Sequence, residues 1–290
     1  MPATDHTRVG MGRWAVRAFL LGALAFVLSP GAHAYPPAPP HTIYGVVRDR
    51  YGNPYESTAI SVILFGGDSL EKARTTLDPL FGLGVNYSLD VAMDAGLTST
   101  LYEPTAMRPT LPFTMRVLIN GVSYLPIQLT TGTWTMGQPA QRRRIDLTVG
   151  VDSDGDGIPD DWEYELIASD ASGRFSTLAD IRPGDDFDGD GLSNFAEYIA
   201  GSYAFDSADA LALSIVQIVN GSARLQFLAI KGRAYTLTAS TDLVTWTPQP
   251  FALAPGGVAA EAYTATDVRV LDVYAPMGAG ARKFFRLHVQ

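Results

Sequence analysis

Asp152-Ser153-Asp154-Gly155-Asp156-Gly157-Ile158-Pro159-Asp160-Asp161-Trp162-Glu163 interrupts a chain that on both sides is patterned for short strands, and its reading decides how the protein is organised. Calcium takes about six to eight oxygen ligands. A twelve-residue loop wraps it with side-chain oxygens at positions 1, 3, 5 and 9, a main-chain carbonyl at 7 and a bidentate carboxylate at 12. Glycine at position 6 permits the sharp turn. Asp152, Asp154, Asp156 and Asp160 fill the side-chain positions, Ile158 offers the carbonyl, Glu163 closes the loop and Gly157 makes the turn.

Asp186-Phe187-Asp188-Gly189-Asp190-Gly191-Leu192-Ser193-Asn194-Phe195-Ala196-Glu197 repeats the pattern. Here Asp186, Asp188, Asp190 and Asn194 are the side-chain donors, Leu192 the carbonyl and Glu197 the closing carboxylate. Asp and Gly are common in ordinary turns, so a partial match carries little weight. Two complete matches carry more, because carboxylates this crowded repel one another unless a cation lies between them. The spacing predicts two metal sites, with Ca2+ as the implied cofactor and calcium ions as the first partner.

Each loop is expected to release a short helix. Pro159 suits a first helical turn, after which Ile158, Trp162 and Leu166 share one face. After the second loop, Leu192, Phe195 and Ile199 share a face, and Gly201 is the expected stop. The two faces are expected to pack on each other in a core too small to offset chain entropy alone, so bound metal would supply part of the folding free energy.

Working outward, residues 42–150 read as a β domain. Ile43–Asp49 is a strand candidate, Tyr51–Tyr55 is turn chemistry, and Ile60, Val62 and Leu64 mark a second strand. Phe113, Met115, Val117 and Ile119 alternate up to Asn120-Gly121, a strong hairpin signal, and Ile145, Leu147 and Val149 close the segment. Residues 206–290 return to the same pattern. Asn220-Gly221 stands between Ile215–Val219 and Ala223–Ala229; Tyr235, Leu237 and Ala239 alternate, as do Phe285, Leu287 and Val289.

Three resemblances follow from these residues. The strand-like Ile145–Val149 leaves no room for a helix entering the first loop, and the apolar loop residue falls at position 7 (Ile158, Leu192). In both respects the acidic segment resembles bacterial thrombospondin type 3 repeats, which implies calcium-dependent structure in an extracellular protein. Gly45–Pro54 with Ala59–Val62 resembles the opening of carboxypeptidase-regulatory-like (transthyretin-like) sandwich domains, usually non-catalytic. Gly232–Leu237, Ser240–Trp246 and Phe284–Leu287 resemble a C-terminal β module of bacterial secreted proteins.

The first residues read as an export signal: Arg8, Arg13 and Arg17, an apolar run from Ala18 to Leu28, and Ala32-His33-Ala34 as a cleavage site. The apolar run is too short to span a bilayer and no later apolar stretch is long enough, so the mature chain is expected to have no transmembrane segment. The formal charge of −9 becomes more negative once the three arginines leave with Asp5, which disfavours nucleic acid as a partner. There is no cysteine, and past the signal the histidines are His41 and His288, near opposite ends. Thiol catalysis, zinc hydrolysis and a Ser-His-Asp triad are thereby disfavoured, and no enzyme is expected.

Trp246, Tyr235 and Tyr263 are candidates for stacking on sugar, although such residues more often fill a small core. Arg142–Arg144 reads as a solvated strand approach. The expected fold is mainly β: two β-sandwich domains joined by a small α-helical calcium-binding connector. In order along the chain these are a signal peptide (1–34), a proline-rich linker (35–41), a first sandwich (42–150), calcium repeats (151–205) and a C-terminal sandwich (206–290). The expected role is a secreted structural or adhesive protein, extracellular, at the cell surface or in the periplasm, whose connector is rigidified by calcium. A polysaccharide-binding accessory module, or the non-catalytic remnant of an extracellular hydrolase, are the alternatives, and extracellular polysaccharide or protein the further candidate partners.

Overall fold

The computed structural model describes residues 37–290 except 80, 82, 83 and 279–281; the export signal and residues 35–36 of the linker lie outside the described residues. The fold is mainly β. The two Asn-Gly pairs explain why strands fold back where they do. Asn120 and Gly121 have φ of 50° and 81°, and Asn220 and Gly221 of 48° and 74°. Both central residues of such a turn need positive φ, which Asn and Gly tolerate, and its twist matches that of the flanking strands. Ile119 accordingly pairs with Val122, and Val219 with Ser222.

In the N-terminal part the strand Ala38–Gly45 lies between Tyr87–Met93, antiparallel, and Arg142–Arg144, parallel. A second sheet centres on Ser61–Gly66, flanked by Glu71–Thr76 and Pro112–Ile119. One apolar cluster draws on both sheets: Ile43, Tyr87, Leu89 and Val91 from the first, Val62, Leu64, Met115 and Val117 from the second. Ile145, Leu147 and Val149 join it, as their alternation implied. Ile63 is buried as well, so Ser61–Gly66 has no simple outward face.

Residues Ala38–His41 were expected in the proline linker and instead begin the first strand. Proline has no N–H to give a ladder, and the pairing with Tyr87–Met93 slips between Ala38 and His41 to accommodate Pro39 and Pro40. His41 is buried and its Nδ1 donates to the Gln138 carbonyl at 3.0 Å.

In the C-terminal part, Ser214–Val219, Ser222–Ala229 and Arg269–Pro276 form one sheet, and Ala234–Ser240 pairs with Phe284–Val289 in another. Leu225, Phe227, Tyr235, Leu237 and Val273 share their cluster. Tyr235 is fully buried and its hydroxyl accepts from Ile230 N–H at 2.8 Å, which makes it a core residue. Trp246 lies under the guanidinium of Arg286, 3.8 Å from its ring centre.

Between these parts lie two α-helices, α1 (Asp160–Ser169) and α2 (Asn194–Ala200). Their small core contains Leu166, Ile181 and Ala204, walled by Phe175, Phe187 and Phe205. The three phenylalanine rings pack with centroids 4.4 to 5.9 Å apart, and Arg174 lies over two of them. The helices meet where Trp162 stands edge-on to Tyr198 at 5.9 Å.

The two β parts also touch each other directly. Gly232 lies against Pro54 so closely that a β-carbon there would sit 3.2 Å from the proline ring. Lys231 pairs with Glu56 at 3.1 Å, and Arg144 donates to the Gly84 carbonyl at 3.2 Å and to the Gln290 side chain. Residues Pro37–Gln290 form one compact unit. The acidic segment is therefore folded beside a contact between the β parts and does not hold them apart in a row.

Candidate metal centre

The two acidic loops adopt one conformation, built from the same hydrogen bonds. Asp152 accepts from the N–H groups of Gly155 (2.7 Å) and Gly157 (3.1 Å); Asp186 accepts from Gly189 (2.7 Å) and Gly191 (2.9 Å). Asp156 takes the N–H of Ile158 at 2.8 Å, and Asp190 that of Leu192 at 2.6 Å. The glycines at position 6, Gly157 and Gly191, have φ of 100° and 97°, which a side chain would oppose. These bonds fold each first carboxylate back over its loop. One oxygen each from Asp152, Asp154 and Asp156 then lies within 4.8 Å of the others, and likewise for Asp186, Asp188 and Asp190.

The closing glutamates come from the helices. Glu163 sits in the first turn of α1 and Glu197 in that of α2, with exposures of 0% and 1%. Neither oxygen of either carboxyl has a hydrogen-bond partner among the described residues. Burial, followed by the charges of Asp154, Asp156, Asp160 and Asp152, pushes Glu163 up to about 8. Burial, followed by Asp188, Asp190, Asp186 and Asp209, pushes Glu197 up to about 8. Asp156 is raised as well, again chiefly by burial. Leaving buried polar atoms unmatched is costly, and the charges that raise each glutamate come chiefly from the aspartates of its own loop, whose oxygens are the ones clustered within 4.8 Å.

The loops differ at position 9. Asp160 uses both oxygens on Ser153, accepting from its N–H and its hydroxyl at 2.6 Å each. Asn194 donates through Nδ2 to the Arg182 carbonyl at 2.7 Å, which leaves its Oδ1 buried and without a partner. Asp188 and Asp190 each keep one such oxygen too. The second loop thus presents a nearly complete set of unmatched oxygens, whereas in the first Asp160 holds the loop closed.

The face of α2 departs from the sequence reading for a physical reason. Leu192, Phe195 and Ile199 were expected to turn inward, yet Phe195 is 43% exposed. Asn194 and Glu197 are one turn apart and must both face the loop, which carries Tyr198 inward with them and Phe195 outward. On α1 no such conflict arises, and Ile158 and Leu166 are buried with Trp162 partly so. Ser193 caps α2 by accepting from Ala196 N–H, and Gly201 ends it with φ of 80°.

Ser153, which bonds Asp160, and Asp209, whose charge acts on Glu197, are neighbours of the loops that spacing alone did not mark. Phe187 was visible at position 2 of the second loop, but its aromatic partners were not. Compared with protein-family models, with curated proteins and with solved structures, the chain matches none.

Proposed function

We propose that this chain is a calcium-binding structural protein of the cell exterior, holding one ion in each acidic loop. The observation that carries the reading is the pair of fully buried carboxyls, Glu163 and Glu197, each with both oxygens unmatched beside three clustered aspartates. A divalent cation resolves that arrangement: it neutralises the charge and uses the lone pairs. The donors are all oxygen, which favours a hard cation over zinc or copper. The number of protein oxygens per loop favours calcium over magnesium, which usually keeps several waters.

The remaining expectations belong to the same proposal. The export signal and the likeness to thrombospondin type 3 repeats support a secreted location. The N- and C-terminal cores are read as two β-sandwiches clipped together by the metal-binding segment. The acidic groups serve the cation and no catalytic step. The sugar-binding alternative is weaker, since Tyr235 is a core residue and Trp246 is covered by Arg286.

Calorimetric titration tests the reading. Two ions should bind per chain, millimolar calcium should raise the melting temperature, and alanine at both Asp152 and Asp186 should abolish the rise. An identical melt in calcium and in chelator would overturn it.

A further inference from the structure

The geometry points to an unequal division of labour: the ion in the second loop latches the joint between the two β parts, and the ion in the first loop does not. This inference rests on the calcium reading above and adds to it a specific mechanical route.

The route runs through consecutive residues of α2. Glu197 faces the loop; the next residue, Tyr198, is buried, and its hydroxyl donates to the Asp49 carbonyl at 3.3 Å. The residue after that, Ile199, accepts at its carbonyl from Nε of Arg233 at 2.7 Å. Arg233 belongs to the C-terminal part, is 1% exposed, and also donates to Asn53 Oδ1 at 3.3 Å. One turn of helix therefore holds a metal ligand, a fastening to the N-terminal part and a fastening to the C-terminal part.

The surfaces it fastens are tightly made. Asp49 folds its own turn by accepting from Tyr51 N–H at 2.9 Å and Asn53 N–H at 2.8 Å. A β-carbon on Gly52 would lie 2.6 Å from the Tyr198 carbonyl, and one on Gly201 would lie 3.0 Å from the Arg233 guanidinium. A shift of α2 by a fraction of an ångström is felt on both sides, because packed contacts this close do not deform gradually.

Among the described residues the first loop has no such hydrogen-bonded route. After Glu163 the chain exposes Tyr164, and Glu165 lines an open cleft with Asn53 and Arg233 without hydrogen-bonding to either. The direct polar link from α1 to the N-terminal part is the Arg50–Asp161 pair at 3.3 Å, solvent-exposed and so of small worth. Its contact with the joint is by packing, Trp162 resting on Tyr198 at the edge of that cleft, with no hydrogen bond from α1 across it among the described residues.

Amide hydrogen exchange on the full chain tests this. Calcium should slow exchange of the Gly52–Tyr55 and Gly232–Ala234 segments at least tenfold. Glu197→Gln should lose that protection and Glu163→Gln should retain it. Asp186→Asn serves as a second probe of the same loop should Glu197→Gln fold poorly, and it too should lose the protection. The latch is refuted if two ions bind by calorimetry yet these segments exchange equally in calcium and chelator, or if Glu163→Gln loses protection as fully as Glu197→Gln. Absence of calcium binding in the wild type refutes instead the reading on which the latch rests.

Discussion

Arg233 and Ile199 are joined by a 2.7 Å hydrogen bond from guanidinium Nε to a carbonyl at the last turn of α2. Helix ends leave such carbonyls without partners, and a cation there also meets the negative end of the helix. The bond thus answers two needs at once, and the Arg233 side chain that makes it is almost wholly buried.

Removing that side chain should be expensive. Arg233→Ala strands the Ile199 carbonyl and Asn53 Oδ1, and should lower stability by about 2–4 kcal/mol in urea unfolding at saturating calcium. Arg233→Lys keeps the charge without the planar fork and should recover only part of the loss. A change below about 0.5 kcal/mol, typical of a surface site, would contradict the role given to it.

Acidity should act on the metal-free and metal-bound protein in opposite senses. Glu163 and Glu197 sit at about 8 in the fold against an ordinary 4.5. Between those values the native state binds more protons at these two groups than the unfolded chain does, so their contribution to stability in chelator is greatest below about pH 5 and falls as pH rises toward 8. Calcium requires the ionised carboxylates, so its affinity should climb over the same window and its binding near pH 7 should release protons. Melts in chelator from pH 5.5 to 8, and calorimetry in buffers of different ionisation heat, measure both; a flat chelator profile contradicts the assignment.

Gly52→Ala should destabilise the protein by about 2 kcal/mol or more. Its φ of 80° is one that alanine resists, and the new methyl would lie 2.6 Å from the Tyr198 carbonyl. Gly96→Ala makes a fair comparison, since its φ is 74° and nothing lies within 4 Å of the added carbon. Thermal denaturation should show the larger loss for Gly52→Ala.

Phe187→Ala should weaken calcium binding several-fold without removing a ligand. Phe187 lies between Asp186 and Asp188 and packs on Phe175 at 4.4 Å and Phe205 at 5.7 Å. Losing those contacts costs about 1–3 kcal/mol of packing that holds the loop in shape. Calorimetry should show the weaker affinity, with the first loop largely unaffected.

Much of this was legible because it is local. An Asn-Gly pair between alternating runs fixes a hairpin from within a few residues, and both hairpins formed as read. The clustering of the acidic residues was legible for the same reason: the aspartates that come together lie within one twelve-residue turn. What escaped was non-local. Arg142–Arg144 reads as a solvated strand approach and is an exposed strand, but its parallel pairing beside Thr42–Tyr44 is one that no spacing announces. Phe175, Phe187 and Phe205 are spread along the chain and give no period. On α2 the apolar spacing misled, because the requirement that Asn194 and Glu197 face the loop outranked the burial of Phe195.

The joint around Arg233 also bears on the order of events when the chain is made. Tyr198 reaches Asp49 across 149 residues, and Arg233 reaches Asn53 across 180. Contacts of such separation form slowly, since a long loop must close before they return anything. A chain emerging from its N-terminus holds the residues of its first β core early, but Asp49 and Gly52 lack their cover until Tyr198 has appeared, and Asn53 lacks its partner until Arg233 has. The joint cannot close before residue 233 has been made, and a nascent chain stalled before Tyr198 would expose the surface around Gly52 that the finished protein conceals.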